Sequence, residues 1–303
     1  MAVTAAMIKE LRNITGAGMS ACKEVLVEAD GNMEMAEKLL REKGLLAAAK
    51  KAGRIASEGL VDIFIADDSK RGAIVEVNSE TDFVAKNDKF KIYVREVATF
   101  ACNSNAKTLD EFLDEKWNNS NLTVKEELSQ KIAVIGENLN IRRFERFETT
   151  GCLISYIHAG GKVGVMLELS CQKNPKIEEL GKNICMQIAA MNPKFISRSD
   201  VSQEFIDKEK EILTQQAMNE GKPANIAEKM VAGRLNKELK EFCLLEQEYV
   251  KDNNLSIKQY IENVEKEIGQ EISVLRFVRF ETGEGLEKKD ENFAQEVSKA
   301  MKN

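Results

Sequence analysis

The run Arg-Phe-x-Arg-Phe-Glu-Thr occurs twice in this chain, at 143–149 and at 276–282. Both runs read as strands, each closing the unit that precedes it. Gly136 and Gly269, ahead of the two runs, are separated by the same 133 residues as Phe147 and Phe280 within them. A closing strand repeated at one offset predicts an internal duplication, two α+β subdomains of one design with antiparallel sheets.

The elements before each closing strand repeat as well. Leu60-Val61-Asp62-Ile63-Phe64-Ile65 and the alternating run 73–78 predict a strand pair across the polar turn 67–72. Cys152 to Ile157 and Val163 to Leu169 predict a second pair across Ala159-Gly160-Gly161-Lys162. A helix follows each pair. Phe90, Val94, Val97 and Ala101 share a face in the first; Ile184, Ile188 and Met191 mark the second. Thr108-x-x-Glu111 and Thr123-x-x-Glu126 are capping boxes, which start two further helices. The second copy is longer because about 200–243 is a polar, helical insertion. It breaks at Glu220-Gly221-Lys222-Pro223 and restarts at Asn225-x-x-Glu228. Phe205, Ile206, Leu213 and Ala217 line one arm; Ile226, Met230, Leu235, Leu239 and Phe242 line the other. Such arms zip into a projecting hairpin or pack on another chain.

Residues 1–52 read as a helical module. Met7, Ile8 and Leu11 form a first stripe, broken at Gly16 or Gly18. Cys22, Val25, Leu26 and Ala29 form a second. The turn Asp30-Gly31-Asn32, with Asn32 as N-cap, leads to a third stripe of Met33, Ala36, Leu39 and Leu40, closed by Gly44. The Ala- and Lys-rich stretch 47–54 links this module onward. After an acidic linker, Phe293, Val297, Ala300 and Met301 predict a short C-terminal helix. The expected division is 1–52, 53–149, 150–282 with its hairpin, and 283–303.

The chemistry of a catalyst is not visible. The single histidine, His158, adjoins a Gly-Gly turn and has no nucleophile elbow beside it. Its readings are a loop residue, an interface contact or, in a rival account, an enzyme's base. Gly16-Ala17-Gly18 lacks a dinucleotide fingerprint's third glycine, and Gly161-Lys162 lacks the Ser or Thr of a phosphate loop. No cofactor and no metal site is expected. None of the 6 cysteines forms a Cys-x-x-Cys pair, so they read as buried thiols of a reducing cytoplasm. With 43% hydrophobic residues and 3 prolines the chain is globular. A net charge of −6 and a pI near 5.3 argue against broad contact with nucleic acid or membrane surfaces. No apolar run reaches membrane-spanning length, and the opening Met1-Ala2-Val3-Thr4-Ala5-Ala6 does not read as a signal peptide.

One stretch falls outside this scaffold logic, Thr81-Asp82-Phe83-Val84-Ala85-Lys86-Asn87-Asp88. It follows a strand and precedes a helix expected to start at Asp88, so Asp82 and Phe83 are expected on a strand-to-helix turn at the rim of a sheet. Phe83 is then either a core ring or a wedge that enters a partner, with Asp82 a cap or a charge that disturbs that partner. The stretch resembles the signature of the elongation factor Ts family, the guanine-nucleotide exchange factors of elongation factor Tu. Leu11-Arg12-Asn13-Ile14-Thr15-Gly16-Ala17-Gly18-Met19-Ser20-Ala21-Cys22-Lys23 resembles the same family's other signature, and the resemblance runs the length of the chain.

The resemblance implies a non-enzymatic cytoplasmic factor that binds GDP-bound and nucleotide-free elongation factor Tu, with no direct nucleic-acid or membrane contact. It makes the module at 1–52 ubiquitin-associated-like. It makes Thr81, Asp82, Phe83 and Val84 the segment that dislodges the partner's Mg²⁺. Met19 and Lys23 become a docking patch, and Ile135, Gly136 and His158 core contacts. Val250 becomes a further contact, although Glu248-Tyr249-Val250 departs from the family's Pro-Phe-Val. The C-terminal helix becomes an outer clasp, and the hairpin a coiled coil that some members use to form a homodimer. The rival from another class is an adaptor that uses the three-helix module to bind ubiquitin-like folds.

Overall fold

The computed structural model describes residues 2–118, 120–220 and 224–288, with backbone alone at 224–228. The expected C-terminal helix with Phe293, Val297, Ala300 and Met301 lies outside these residues, as do Gly221, Lys222 and Pro223.

The chain is a mixed α+β molecule whose sheets are antiparallel. Helices α1 (Ala5–Thr15), α2 (Met19–Glu28) and α3 (Met33–Lys51) come first. Leu11, Cys22, Val25, Leu26 and Ala36 form their common core. Gly16 ends α1 in the left-handed conformation, and the Asn32 side chain caps α3 by accepting from the Met35 N–H. α3 does not close at Gly44. It runs seven residues further, to Lys51, because its second half packs against a later helix, α7 (Val124–Ile135). A Cβ added at Gly44 would stand 3.7 Å from the Ser129 carbonyl oxygen, an ordinary contact, so Gly44 lies in the packed interface with α7 and is not a stop. Arg41 pairs with Glu126 across this contact, and Ala48 packs against the first sheet's core.

Strands β1 (Glu58–Ile65) and β2 (Arg71–Ser79) form a hairpin. Helices α4 (Asp82–Lys86), α5 (Asp88–Asn103), α6 (Leu109–Asp114) and α7 follow. Thr108 and Thr123 make the two expected capping boxes at α6 and α7. Strand β3 (Leu139–Glu148) then completes a sheet in the order β1-β2-β3. Strands β4 (Cys152–His158) and β5 (Val163–Leu169) open a second sheet. Helix α8 (Pro175–Met191) follows, then α9 (Gln203–Asn219) and α10 (Ala224–Phe242). Strands β6 (Glu248–Tyr249) and β7 (Asp252–Ser256), helix α11 (Ile257–Ile268) and strand β8 (Val274–Glu281) complete the order. The second sheet is β4-β5-β8, and in each large sheet the closing strand carries one extra residue, Arg142 of β3 opposite Glu76/Val77 and Leu275 of β8 opposite Glu168/Leu169.

The two sheets meet face to face. Val61, Ile63, Ile74, Phe147, Leu153, Met166 and Phe280 form a core between them. Their outer faces are covered by helices: Ala73, Val75 and Val77 lie with Phe90, Val94 and Val97 of α5, while Val165, Leu167 and Leu169 lie with Ile177, Ile184 and Ile188 of α8. The result is four layers, helix, sheet, sheet, helix. Arginines of one sheet cover aromatic rings of the other at the seam. The Arg143 guanidinium stands 4.2 Å from the Phe280 ring centre, and that of Arg276 stands 3.8 Å from Phe147. All six cysteines are buried free thiols.

The two arms of the insertion face each other. Leu213 and Ala217 of α9 pack with Val231 and Leu235 of α10. Val231, 2% exposed, takes the inward position that the spacing gave to its neighbour Met230. At the root Phe205 meets Phe195 and Phe242 edge-on. α10 starts at Ala224, one residue ahead of the expected restart.

Candidate functional site

The stretch at 81–86 forms a short helix rather than an open turn. Thr81 caps α4, its hydroxyl accepting from the Val84 N–H at 3.3 Å. The next helix is capped by Asn87, whose side chain accepts from the Lys89 N–H; Asp88, expected as the cap, is its first helical residue. The two caps stand back to back because α4 is a single turn between a strand end and a long helix. Ala85 is buried and Val84 half-buried against the first core, which fixes the inner side of α4. The outer side carries Phe83. Its ring is 78% exposed, more than any other large apolar side chain among the described residues. That removes the reading of Phe83 as a core ring.

Asp82 stands beside Phe83 and bonds to Lys86 one turn on, at 2.6 Å. The Lys86 ammonium holds the Asp82 carboxyl below its ordinary range, with Lys162 adding a weaker pull. The pair is open to solvent, so its worth is positional and not a large stability term. Lys162 comes from the turn between β4 and β5 and pairs with Glu58 at the start of β1. Glu58 lies in register with Ser79, the last residue of β2.

The β4–β5 turn is thereby held next to α4. The Val61 N–H donates to the Gly161 carbonyl at 2.8 Å, and the Gly161 and Lys162 N–H groups both donate to the His158 carbonyl. The His158 ring is exposed, with its Nδ1 2.9 Å from the Tyr156 hydroxyl. On the other side Gly136 ends α7 with φ of 87°, a left-handed position that favours glycine. The chain then turns into Glu137, which bonds to Thr81 through both carboxylate oxygens. Ile135 is half-buried and Gly136 exposed.

The match to known proteins is extensive. The family model described as Elongation factor TS matches residues 80–284. Elongation factor Ts of Clostridioides difficile (strain 630) is 54% identical over 301 residues, 99% of each chain. That of Clostridium perfringens (strain SM101 / Type A) is 54% identical over 299 residues, 98% of each chain. The protein from Clostridium acetobutylicum is 50% identical over 301 residues, 99% of this chain and 98% of its own. The chain belongs to the elongation factor Ts family.

Of the residues that the elongation factor Ts resemblance singles out, Thr81, Asp82, Phe83, Val84, Ile135, Gly136 and His158 come together around the end of the first sheet. Met19 and Lys23 do not join them directly. They lie four apart on α2, Met19 45% exposed and Lys23 also exposed. α2 packs on α3, α3 on α7, and α7 ends at Ile135. Between α2, α3 and α7 runs a cleft of about 450 Å³, lined by Gly18, Ala21, Leu40, Gly44, Ala133 and Val134 among others. Val250 stands apart in the turn between β6 and β7, half-exposed, with its N–H donating to Gln187 at 2.9 Å.

Sequence reasoning missed Glu137, Lys86, Lys162 and Glu58. The Asp82–Lys86 pair was legible as an i, i+4 contact. The others meet α4 from remote positions in the chain, and no spacing points to them. Among the described residues no cluster of His, Cys, Asp and Glu could hold a metal ion, and no helix is long and apolar enough to cross a membrane.

Proposed function

We propose that this protein is a cytoplasmic, non-enzymatic guanine-nucleotide exchange factor that binds GDP-bound elongation factor Tu and speeds GDP release during translation elongation. Membership of the elongation factor Ts family supports this, and so does one observation above the rest. The ring of Phe83 stands out in solvent on a helix of five residues, beside an ionised Asp82. A phenylalanine so exposed contributes little to its own fold. It is available to enter a partner.

Exchange needs no catalytic group. A nucleotide in such a partner is gripped by Mg²⁺ and by main-chain amides around the phosphates. A ring that displaces part of that pocket and a carboxylate that competes within its charges weaken the grip. The effect is reciprocal: bound nucleotide weakens the factor's hold by the same ratio, so the factor binds the nucleotide-free partner best. In this reading Thr81, Asp82, Phe83 and Val84 act on the Mg²⁺ site, with Val84 holding α4 to its own core. Ile135, Gly136 and His158 contact the partner around the wedge. Met19 and Lys23 dock it from the helical module, and Val250 touches it elsewhere.

Three finer readings belong with this one. The helices of 1–52 form a ubiquitin-associated-like unit, supported by their separate core. The hairpin is the element that would carry a homodimer, with Ile212 and Met218 exposed on α9. The subdomains 53–149 and 150–282 are copies. Their first two strands correspond at an offset of 92, as in Gly72 and Gly164 or Glu76 and Glu168, each of which lies beside the bulge of its closing strand. The helix caps Asn87 and Asn174 correspond at 87. The first copy therefore has five residues more between strand and helix, the length of α4 itself. The wedge is an addition to a scaffold whose other copy connects the same elements without it.

The test is release of labelled GDP from elongation factor Tu. The protein should raise the rate, and Phe83→Ala should cut the stimulated rate about tenfold or more, within the usual range of coupling between sites. The thermal stability of Phe83→Ala should change by no more than about 0.5 kcal/mol, as for a surface position. Asp82→Ala should act in the same step, so that the double variant loses less than the sum of the two. An unstimulated rate would favour the adaptor; a collapsed fold with normal exchange per folded molecule would make Phe83 structural.

A further inference from the structure

We infer that Glu137 is a positioning residue for exchange, the group that sets the direction in which Phe83 projects. The inference rests on the reading of Thr81 to Val84 as the acting segment. A single helical turn does not hold its shape alone. The inner side of α4 is anchored by Ala85, but its entry depends on Thr81. The Thr81 N–H donates to one Glu137 carboxylate oxygen at 3.0 Å, and the Thr81 hydroxyl donates to the other at 2.7 Å. With its proton committed to Glu137, that hydroxyl presents its lone pairs to the Val84 N–H at 3.3 Å, the cap of α4. One carboxylate thus fixes both the main chain and the rotamer of the residue from which the wedge starts.

The contact is reciprocated. The Asn138 N–H donates to the Glu80 carboxylate at 2.6 Å, and the Asn138 side chain donates to the Arg54 carbonyl at 2.8 Å. So Glu80-Thr81 at the exit of β2 and Glu137-Asn138 at the entry of β3 each offer a carboxylate to the other's main chain. Bonds of this charge-assisted kind are about twice as strong as neutral ones. The clasp also ties α4 to Ile135 and Gly136, so wedge and flanking contact move as one body. Without Glu137 the cap loosens and Phe83 samples other directions, while the surfaces that dock the partner stay as they were. The loss belongs in the step that follows docking.

The test measures release of labelled GDP from elongation factor Tu over a concentration series of the full-length factor. Two quantities come from it, the maximal rate and the half-saturating concentration. Glu137→Ala should lower the maximal rate about tenfold and move half-saturation by less than about twofold. Glu137→Gln keeps one acceptor oxygen and turns an amide NH2 toward the other Thr81 donor, so its rate should fall between those of Glu137→Ala and the parent. Thr81→Val, which removes only the hydroxyl, should slow the same step and serves if Glu137→Ala folds poorly. A wild-type maximal rate in Glu137→Ala or Thr81→Val overturns the inference. So does a change confined to half-saturation. Phe83→Ala is run alongside: if it too exchanges normally, the wedge reading fails; if it alone is slow, only the role of Glu137 fails.

Discussion

Glu76 sits in the middle of β2 with no exposed surface, yet it is held as an anion. Burial pushes its carboxyl up. The Gly283 N–H at 2.8 Å, the Asn78 amide at 3.0 Å and the Arg143 guanidinium at 2.6 Å more than offset that and hold it below the ordinary 4.5. Arg142 adds a second ion pair at 3.0 Å. A carboxyl whose folded-state value is depressed stabilises fully above its unfolded value, and the contribution fades as pH falls through the lower folded one. Stability should therefore drop below about pH 4.5 in part through Glu76. Glu76→Gln should cost about 3 kcal/mol at neutral pH, because it leaves the half-buried Arg142 without its anion and Arg143 with Glu284 alone. It should also flatten the acid limb of stability measured by denaturant unfolding at several pH values. An equally steep acid limb in the variant would mean that other carboxylates carry it. The alternation of 73–78 gave no hint of this, since an alternating strand is expected to turn Glu76 to water. β2 is instead buried along both faces, and the group that meets Glu76 from outside, Gly283, lies just past the last strand. A partner 207 residues away leaves no local signal.

At the scale of elements, α4 makes the sharpest claim. If the first copy carries five residues that the second does without, their removal should be survivable. Deleting 82–86 would join Glu80-Thr81 to Asn87, the counterpart of Gln172-Lys173 before Asn174. We expect the deletion to keep the sheet and helix signals of circular dichroism. It should lose about 1–3 kcal/mol for the apolar contacts of Val84 and Ala85, and it should abolish stimulated exchange. Loss of the sheet signal would instead make α4 part of the scaffold. The strands, the capped helices and the repeat were legible because their signals are local: period two, Thr-x-x-Glu boxes, and one offset shared by glycine and phenylalanine. What was not legible depends on contacts between distant stretches. Gly44 reads as a stop in isolation, but α3 continues to Lys51 because its second half packs against α7. Asp88 reads as a cap as readily as Asn87 does, and the one-residue difference is settled by the turn of α4 in front of it. Phe83 could be read either way, and its exposure is decided by Ala85 and Val84 taking the inward positions.

For the whole molecule, the question is what the inserted hairpin is joined to. Its apolar positions Leu213, Ala217, Val231 and Leu235 are satisfied between its own arms, so the sheets do not need them. Its roots are pinned together independently of the arms: the Lys194 and Phe195 N–H groups both donate to the Phe242 carbonyl, and the Leu244 N–H donates to the Phe195 carbonyl. Beyond that point Cys243 and Leu244 are fully buried, and Leu244 belongs to the core of the second sheet. A replacement must therefore stop short of Cys243. With 203–241 exchanged for a short Gly-Ser link, both sheets should fold and Asp82 and Phe83 should still act, since α4 stands on the first sheet. The shortened protein should keep the maximal rate of GDP release within about twofold, the scatter expected for sites that share no partners. Sedimentation then separates two further outcomes. A smaller species than the parent would assign the exposed Ile212 and Met218 to a contact between two copies, whereas an unchanged monomer would leave the hairpin a projecting arm. Failure to fold would show that Phe205, which packs on the retained Phe195 and Phe242, is needed by the second sheet, and the replaced segment would have to start after it.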